Sequence, residues 1–364
     1  MATLDSPDQF DDAYDEQTRE LGTVRIAIFG GTGVGKSTLI NAVFGEDVAA
    51  AGVGEPVTKG VHKHVNAEGT LAIWDFQGFE TGDKPSRWLR KQVADNRRGS
   101  RQDTFDVAWF AVSGPSGRFD DGQAALVREL DTLGIPVVLV LTQVHRRGEE
   151  FAPAHLELAA SIEARDLPIV SNKVVLARAT PDPFSGLPSH GLQDLLDRTY
   201  TAVPQGRLNA LIASQRIDLR SKLRLARSWI AGASTFAGGV GFVPVPVADA
   251  GILVPAQMAL MARIAAIYNV PKDQARKVIT GATSVATMGG KYAATSLFKL
   301  VPGVGSVISA SVAATITATV GESWRTVSEN VFTGKLDLDA VSDVAASFLD
   351  GLRRKVKTDG EPAA

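Results

Sequence analysis

The sequence has no cysteine. That excludes disulfides, thiolate catalysis and cysteine-based zinc sites, and it fits a reducing cytosolic setting. Histidine is scarce, with five residues in 364. His62 and His64 alternate on a strand candidate and would share one face, so surface placement explains them better than metal ligation. Charge of one sign is also missing. Lys and Arg number 38 against 40 Asp and Glu, for a formal net charge of −2. No basic footprint for nucleic acid follows, and no aromatic–basic stacking array is present. The amino-terminal stretch lacks the basic start and apolar segment of a secretory signal. It carries Asp5, Asp8, Asp11, Asp12, Asp15 and Glu16 instead, and residues 1–22 read as an acidic, solvated, partly disordered leader.

Long uncharged runs are few. Leu300 to Gly321 carries no charged residue, but Pro302, Gly303 and Gly305 break its start. The clean helical part, Ser306–Val320, would extend only ~22 Å at about 1.5 Å per residue. A spanning helix needs about 20 apolar residues. The bland reading is a buried helical hairpin; the sharper one is a hairpin that dips into a membrane.

Hydrophobic residues make up 45% and charged residues 21% of the chain, ordinary values for a folded protein, and the length suits two domains. From Thr23 to about Tyr200, short β-rich apolar runs alternate with amphipathic ones. Strands are expected at Val24–Phe29, His62–Asn66, Thr70–Asp75, Asp106–Val112, Pro136–Thr142 and Lys173–Ala177. Helices are expected to start near Gly35, Pro85, Asp120, Glu149 and Gly191. This alternation predicts an α/β fold with a mostly parallel central sheet flanked by helices, its ligand site beyond the carboxyl ends of the strands. After Pro204 the pattern is helical. Arg207 to Ile230 reads as one long amphipathic helix, and two Ala- and Val-rich hairpins turn at Phe242-Val243-Pro244 and Leu300-Val301-Pro302. The expected division is a leader 1–22, a phosphate-binding domain 23–204, an all-α hairpin domain 205–354 and a polar tail 355–364.

The strongest signal is Gly30-Gly31-Thr32-Gly33-Val34-Gly35-Lys36-Ser37-Thr38. It spells GxxxxGK[ST] between an apolar strand and a helical run, which makes it a P-loop. The glycines let backbone N–H groups turn inward on phosphate oxygens, and the following helix adds its positive end. Lys36 can reach the β and γ phosphates, and the Ser37 hydroxyl suits Mg²⁺.

With that motif and those that follow, residues from about Thr23 to Val203 resemble a translation-factor-type G domain of the Era-like or septin-like sort. The resemblance implies an α/β P-loop NTPase fold, bound GTP and Mg²⁺, and nucleoside triphosphate hydrolysis. Asp75-Phe76-Gln77-Gly78 resembles DxxG. There the Asp holds a metal-bound water and the Gly amide contacts the γ-phosphate. Thr58 resembles the switch-one threonine that reaches Mg²⁺. Lys36, Thr58 and Gly78 are thus the catalytic candidates, and Ser37, Thr58 and Asp75 the metal candidates.

The expected base-reading [NT]KxD stands here as Thr142-Gln143-Val144-His145. Gln replaces Lys, and His replaces the Asp that accepts two hydrogen bonds from guanine; a neutral His accepts one. GTP is favoured over ATP, with an ATPase or unselective NTPase as the alternative. Ala177-Arg178-Ala179 loosely resembles the last base-contacting motif. His190-Gly191-Leu192-Gln193-Asp194-Leu195-Leu196 resembles the helix that often closes Era-like domains.

Phe79 stands where many such switches carry the water-orienting Gln, so slow turnover is expected, raised by homodimerisation or a partner's arginine. Arg87, Arg90, Arg97, Arg98 and Arg101 are the candidate arginines. The carboxyl-terminal half resembles a bacterial helical-hairpin domain of unknown function, often suspected of membrane association. The resemblance therefore implies a cytoplasmic GTP-driven switch, peripheral to or inserted by a hairpin at the cytoplasmic face of a membrane, expected to signal through its helical domain to a protein partner or membrane. Two rival functions remain compatible with it: a non-hydrolysing nucleotide-binding module, and a dynamin-like membrane-remodelling GTPase.

Overall fold

The computed structural model describes residues 7–45, 48, 55–58, 61–76, 105–183, 185–240, 250–279 and 310–337. The chain divides into two compact units, Leu21–Asp218 and Met1–Glu20 with Leu219–Ala364.

The first unit is built on a sheet of β1 (Val24–Phe29), β2 (Glu55–Thr58), β3 (Val61–Val65), β4 (Leu71–Phe76), β5 (Val107–Ser113), β6 (Val137–Thr142) and β9 (Val175–Leu176). Its order is β2-β3-β4-β1-β5-β6-β9. β4, β1, β5, β6 and β9 run parallel, and β2 and β3 pair antiparallel at one edge. The parallel strands are buried on both faces, so they read as continuous apolar runs such as VVLVL rather than as alternation. Successive side chains still take opposite faces. Ile26, Ile28, Trp109, Val138 and Val140 pack on one side under α2 (Lys36–Phe44), α5 (Leu192–Ala202) and α6 (Gln205–Ser214). Ala27, Phe29, Phe110, Leu139 and Leu141 pack on the other under α3 (Asp121–Thr132) and α4 (Pro153–Glu163). This arrangement is the expected P-loop α/β architecture.

Three local expectations change. The helix expected from Glu149 starts at Pro153, a residue suited to a first helical turn, after a small hairpin of β7 (Arg146–Arg147) and β8 (Glu150–Phe151). Thr58, expected in a loop, ends the edge strand β2. The long helix expected over Arg207–Ile230 is broken into α6 and α7 (Leu219–Val240). The break is held by Gln215, which is fully buried and accepts from the Ile217 and Asp218 amides, each at 2.6 Å. α6 stays with the sheet, since the Ser214 and Thr70 hydroxyls lie 2.8 Å apart and the Arg216 amide donates to Val43 O.

The second unit is helical, with α7, α8 (Ala250–Ile267) and α9 (Ala310–Phe332) packed on one another. Gly321 allows the close approach, because a Cβ there would come within 2.9 Å of Ile230 and 3.1 Å of Leu260. The Trp324 indole N–H donates to Met261 O at 2.9 Å. Lys222, fully buried, donates to Ile267 O and Asn269 Oδ1 at the carboxyl end of α8, where a cation suits the helix dipole.

The stretch read as a disordered leader is instead helical over residues 7–21, α1 (Pro7–Leu21). Phe10 and Tyr14 are buried, and the Tyr14 hydroxyl donates to Val270 O. The acidic residues are not merely solvated. Asp11 pairs with Arg276, Asp15 with Lys272, and Glu20 with the buried Arg263, whose guanidinium also lies 4.1 Å from the Trp229 ring centre. Both Val-Pro corners lie outside the described residues. Among the described residues, no helix is long and apolar enough to cross a membrane.

Candidate functional site

The P-loop leaves β1 at the carboxyl edge of the sheet and enters α2, where an α/β sheet of this type places its ligand. Gly30, Gly33 and Gly35 have φ of +143°, +78° and +92°, a region that favours glycine. Gly30 also lies against β5, and a Cβ there would run into the Ala111 carbonyl. Thr32, Gly33, Ser37 and Thr38 are exposed, Gly31 is buried and Val34 is half-buried. The loop therefore presents its exposed backbone at the amino end of α2, a ready anion site. Lys36 is buried, and its Nζ donates to Gly30 O at 2.8 Å and Gly31 O at 3.0 Å.

Asp75, on β4, brings a buried carboxylate to 3.8 Å from the same ammonium group. The β1–β4 register pairs Ile28 with Asp75, so both strands deliver their chemistry at one level. The hydroxyl of Ser37 and the carboxylate of Asp75 are hard oxygen donors of the kind Mg²⁺ takes. Thr58 pairs with Val61 in the backbone; its side chain lies outside the described residues. So do Gln77, Gly78, Phe79 and the candidate arginines Arg87, Arg90, Arg97, Arg98 and Arg101.

The base-reading candidates come together at the end of β6. The Thr142 hydroxyl lies 2.5 Å from Val34 O and 3.1 Å from Val112 O, tying that strand end to the P-loop. Gln143, in the place of the expected Lys, donates through Nε2 to Gly33 O at 3.0 Å. An amide thus spans to the loop without adding charge. A pocket beside the loop is lined by Gly35, Thr38, Thr142, Gln143, Ala177 and Arg178, among others. Ala177 is held by reciprocal backbone bonds, its amide to Leu141 O and its carbonyl from the Val144 amide; Arg178 is bridged to His190. His145 is half exposed and pairs with Asp182 at 3.1 Å.

Two residues with a part in this arrangement are not legible as such in the sequence. Asp182 sits in Thr180-Pro181-Asp182-Pro183, where the flanking prolines mark only a turn. His155 comes from α4, and its Nδ1 accepts the His145 backbone N–H at 3.1 Å. Burial, and then the neighbouring His145, lower the His155 pKa. A neutral ring is what an accepting Nδ1 requires.

Residues 25–143 match the family described as 50S ribosome-binding GTPase. That stretch, within the sheet unit, is similar to the P-loop domain of Era-like GTPases. The chain is 29% identical over 205 residues to GTPase Era of Xanthomonas axonopodis pv. citri, covering 55% of this chain and 62% of that protein. It is 28% identical over 207 residues to GTPase Era of Xylella fastidiosa, covering 56% and 62% respectively. The chain therefore spans less than two thirds of the length of these relatives. A solved structure of a probable GTP-binding protein, engB, is matched over 49% of this chain and 98% of that one, at 17% identity and a TM-score of 0.33. Likeness at that level carries no functional argument. The helical unit lies outside the family match.

Proposed function

We propose that this Era-like domain binds GTP with Mg²⁺ at its P-loop, hydrolyses it slowly, and works as a switch that signals through the helical unit to a protein partner or a membrane surface. The observation that carries the reading is the 3.8 Å approach of Lys36 and Asp75, two residues far apart in sequence that meet at the mouth of a glycine-rich loop. The loop amides and Lys36 hold the phosphates. Ser37, Asp75 and Thr58 would hold Mg²⁺, which supplies charge neutralisation at the β and γ oxygens. Gly78 and Thr58 would sense the γ-phosphate, and the segments that carry them would relax when it leaves. Thr142, Gln143, His145, Ala177 and Arg178 surround the base.

Slow turnover is motivated by Phe79 in the place of a water-orienting Gln, and homodimerisation is the simplest source of an added arginine. Single-turnover hydrolysis of GTP, with and without Lys36→Ala, tests the enzyme reading. Magnesium-dependent turnover that Lys36→Ala lowers by about a hundredfold or more supports it; retained binding with no turnover leaves a nucleotide-locked interaction module. A second reading, an unselective NTPase, is favoured by His145 standing where a base-reading carboxylate is expected.

A further inference from the structure

We propose that His155 is a positioning residue for nucleotide binding. Its neutral ring holds, through the His145 backbone N–H, the turn that walls the pocket beside the P-loop; protonation of the ring loosens that wall and weakens binding. The inference rests on the nucleotide-binding part of the proposed function and adds a pH control to it.

The wall is Thr142 and Gln143, which line the pocket together with Gly35 and Thr38 of the P-loop. With phosphates on the loop amides, the rest of a nucleotide has this adjoining pocket to fill. The Gln143 backbone stands at φ +56°, a left-handed conformation that costs a non-glycine residue free energy and lasts only where its neighbours hold it. On its amino side the hold is the Thr142 hydroxyl on Val34 O and Val112 O. On its carboxyl side the Val144 amide donates to Ala177 O, and the next residue is clasped by the start of α4. There the Ala152 N–H donates to His145 O at 2.9 Å, and the His145 N–H donates to His155 Nδ1 at 3.1 Å. Every other acceptor in this set is a backbone carbonyl, so the bond to His155 is the one that a proton can remove.

An imidazole accepts at Nδ1 only while its proton sits on Nε2; an imidazolium has no lone pair to offer. The surroundings favour the neutral form. His155 is 5% exposed, and it lies in the first turn of α4, where the helix dipole disfavours a cation. The turn Gly114–Ser116 passes so close that a Cβ on Gly114 would come within 3.4 Å of the ring, and it carries no charged residue. The other neighbour is the His145 ring, stacked at 5.6 Å. The Nδ1 of His145 faces Asp182 Oδ2 at 3.1 Å and Arg178 Nη1 at 3.4 Å. Among the described residues, no carboxylate pairs with the His155 ring to favour its charged form. The neutral ring is the form that keeps the wall in place, so affinity is full above the lowered pKa of His155 and falls as the solution is acidified through it.

The test is binding of a fluorescent GTP analogue with Mg²⁺ to the full chain from about pH 7.5 to about pH 5, on the unsubstituted protein, His155→Asn and His155→Leu. Nucleotide phosphates also take up a proton near about pH 6, but they do so in all three titrations. The readout is therefore each variant's affinity relative to the unsubstituted protein at the same pH. Asn sets a carbonyl oxygen that does not titrate near the place of Nδ1. It is expected to match the unsubstituted protein within about twofold at the upper pH and to bind about threefold to tenfold tighter than it at the lower. Leu fills the volume and offers no acceptor. It is expected to bind about fivefold more weakly at the upper pH, the size of one lost hydrogen bond, and to converge with the unsubstituted protein at the lower. An affinity ratio that stays constant with pH in either variant would mean that His155 only packs, and would overturn the proposal. Should one variant fail to fold by circular dichroism, the other decides alone. Failure of the unsubstituted protein to bind at the upper pH overturns the nucleotide reading itself.

Discussion

In the sheet unit the buried polar groups Lys36, Asp75 and Thr142 gather at the carboxyl edge of parallel strands, around a loop spelled by nine consecutive residues. In the helical unit the buried polar groups Lys222, Gln257 and Arg263 lie between helices, and each reaches a partner more than 40 residues away. The first arrangement sets the buried Lys36 ammonium group behind an exposed loop backbone that suits an anion. The second uses polar groups as fasteners, capping a helix end or clamping α1. The same residue types therefore mark the proposed ligand site in one unit and packing in the other, and what separates the cases is whether the groups converge beside an exposed loop.

The sharpest way to break this contrast is to remove a fastener and watch the site. Trp324→Ala removes a buried indole and its bond to Met261 O. It is expected to destabilise the helical unit by about 3–5 kcal/mol in denaturant unfolding, with GTP affinity below the transition unchanged. A parallel loss of affinity would show that the units are not separable in this way. Gly30→Ala drives a methyl into the Ala111 carbonyl at positive φ. It is expected to cost the sheet unit about 3 kcal/mol and to weaken nucleotide binding with it; a stable, binding-competent variant would contradict the loop geometry.

Arg263→Ala leaves the half-exposed Glu20 without its cation and Trp229 without its stacked guanidinium. A loss of about 1–2 kcal/mol is expected, with Arg263→Met losing less because its stem still fills the site. A smaller effect comes from pH. Burial lowers the pKa values of His64, His155 and His190 in the sheet unit. For such groups the unfolded chain binds more protons below its own pKa of about 6.5, so stability is full above that value and falls as the solution is acidified. The urea midpoint of the sheet unit should drop between pH 7.5 and pH 5.5, and His155→Gln should flatten the drop. Least of all, Asp15→Asn breaks an exposed pair with Lys272, and its expected cost is under about 1 kcal/mol, shrinking further with salt.

The contrast also explains what can be read in advance. The parallel strands announce themselves as apolar runs, so the fold class is legible, and the P-loop, Asp75 and the Thr142–His145 segment are local patterns at strand ends, so the proposed phosphate site can be named from sequence. The partner of His145 is not, since Asp182 lies 37 residues on in a proline-flanked turn and only the fold brings it near. The break at Gln215 is hidden because the residues flanking it continue a helical period; a buried side chain that bonds two amides overrides that period. The acidic composition of α1 suggests a solvated leader because its cations, Arg263, Lys272 and Arg276, lie more than 240 residues away.

The central claim is that Lys36 and the loop amides hold a triphosphate. Calorimetric titration of the purified full chain with GTP and Mg²⁺, repeated on Lys36→Ala, tests it most directly. One nucleotide per chain is expected, with affinity reduced about tenfold to a hundredfold by the loss of a charge-assisted contact. Equal affinity in the two proteins, or no heat of binding in either, would contradict it.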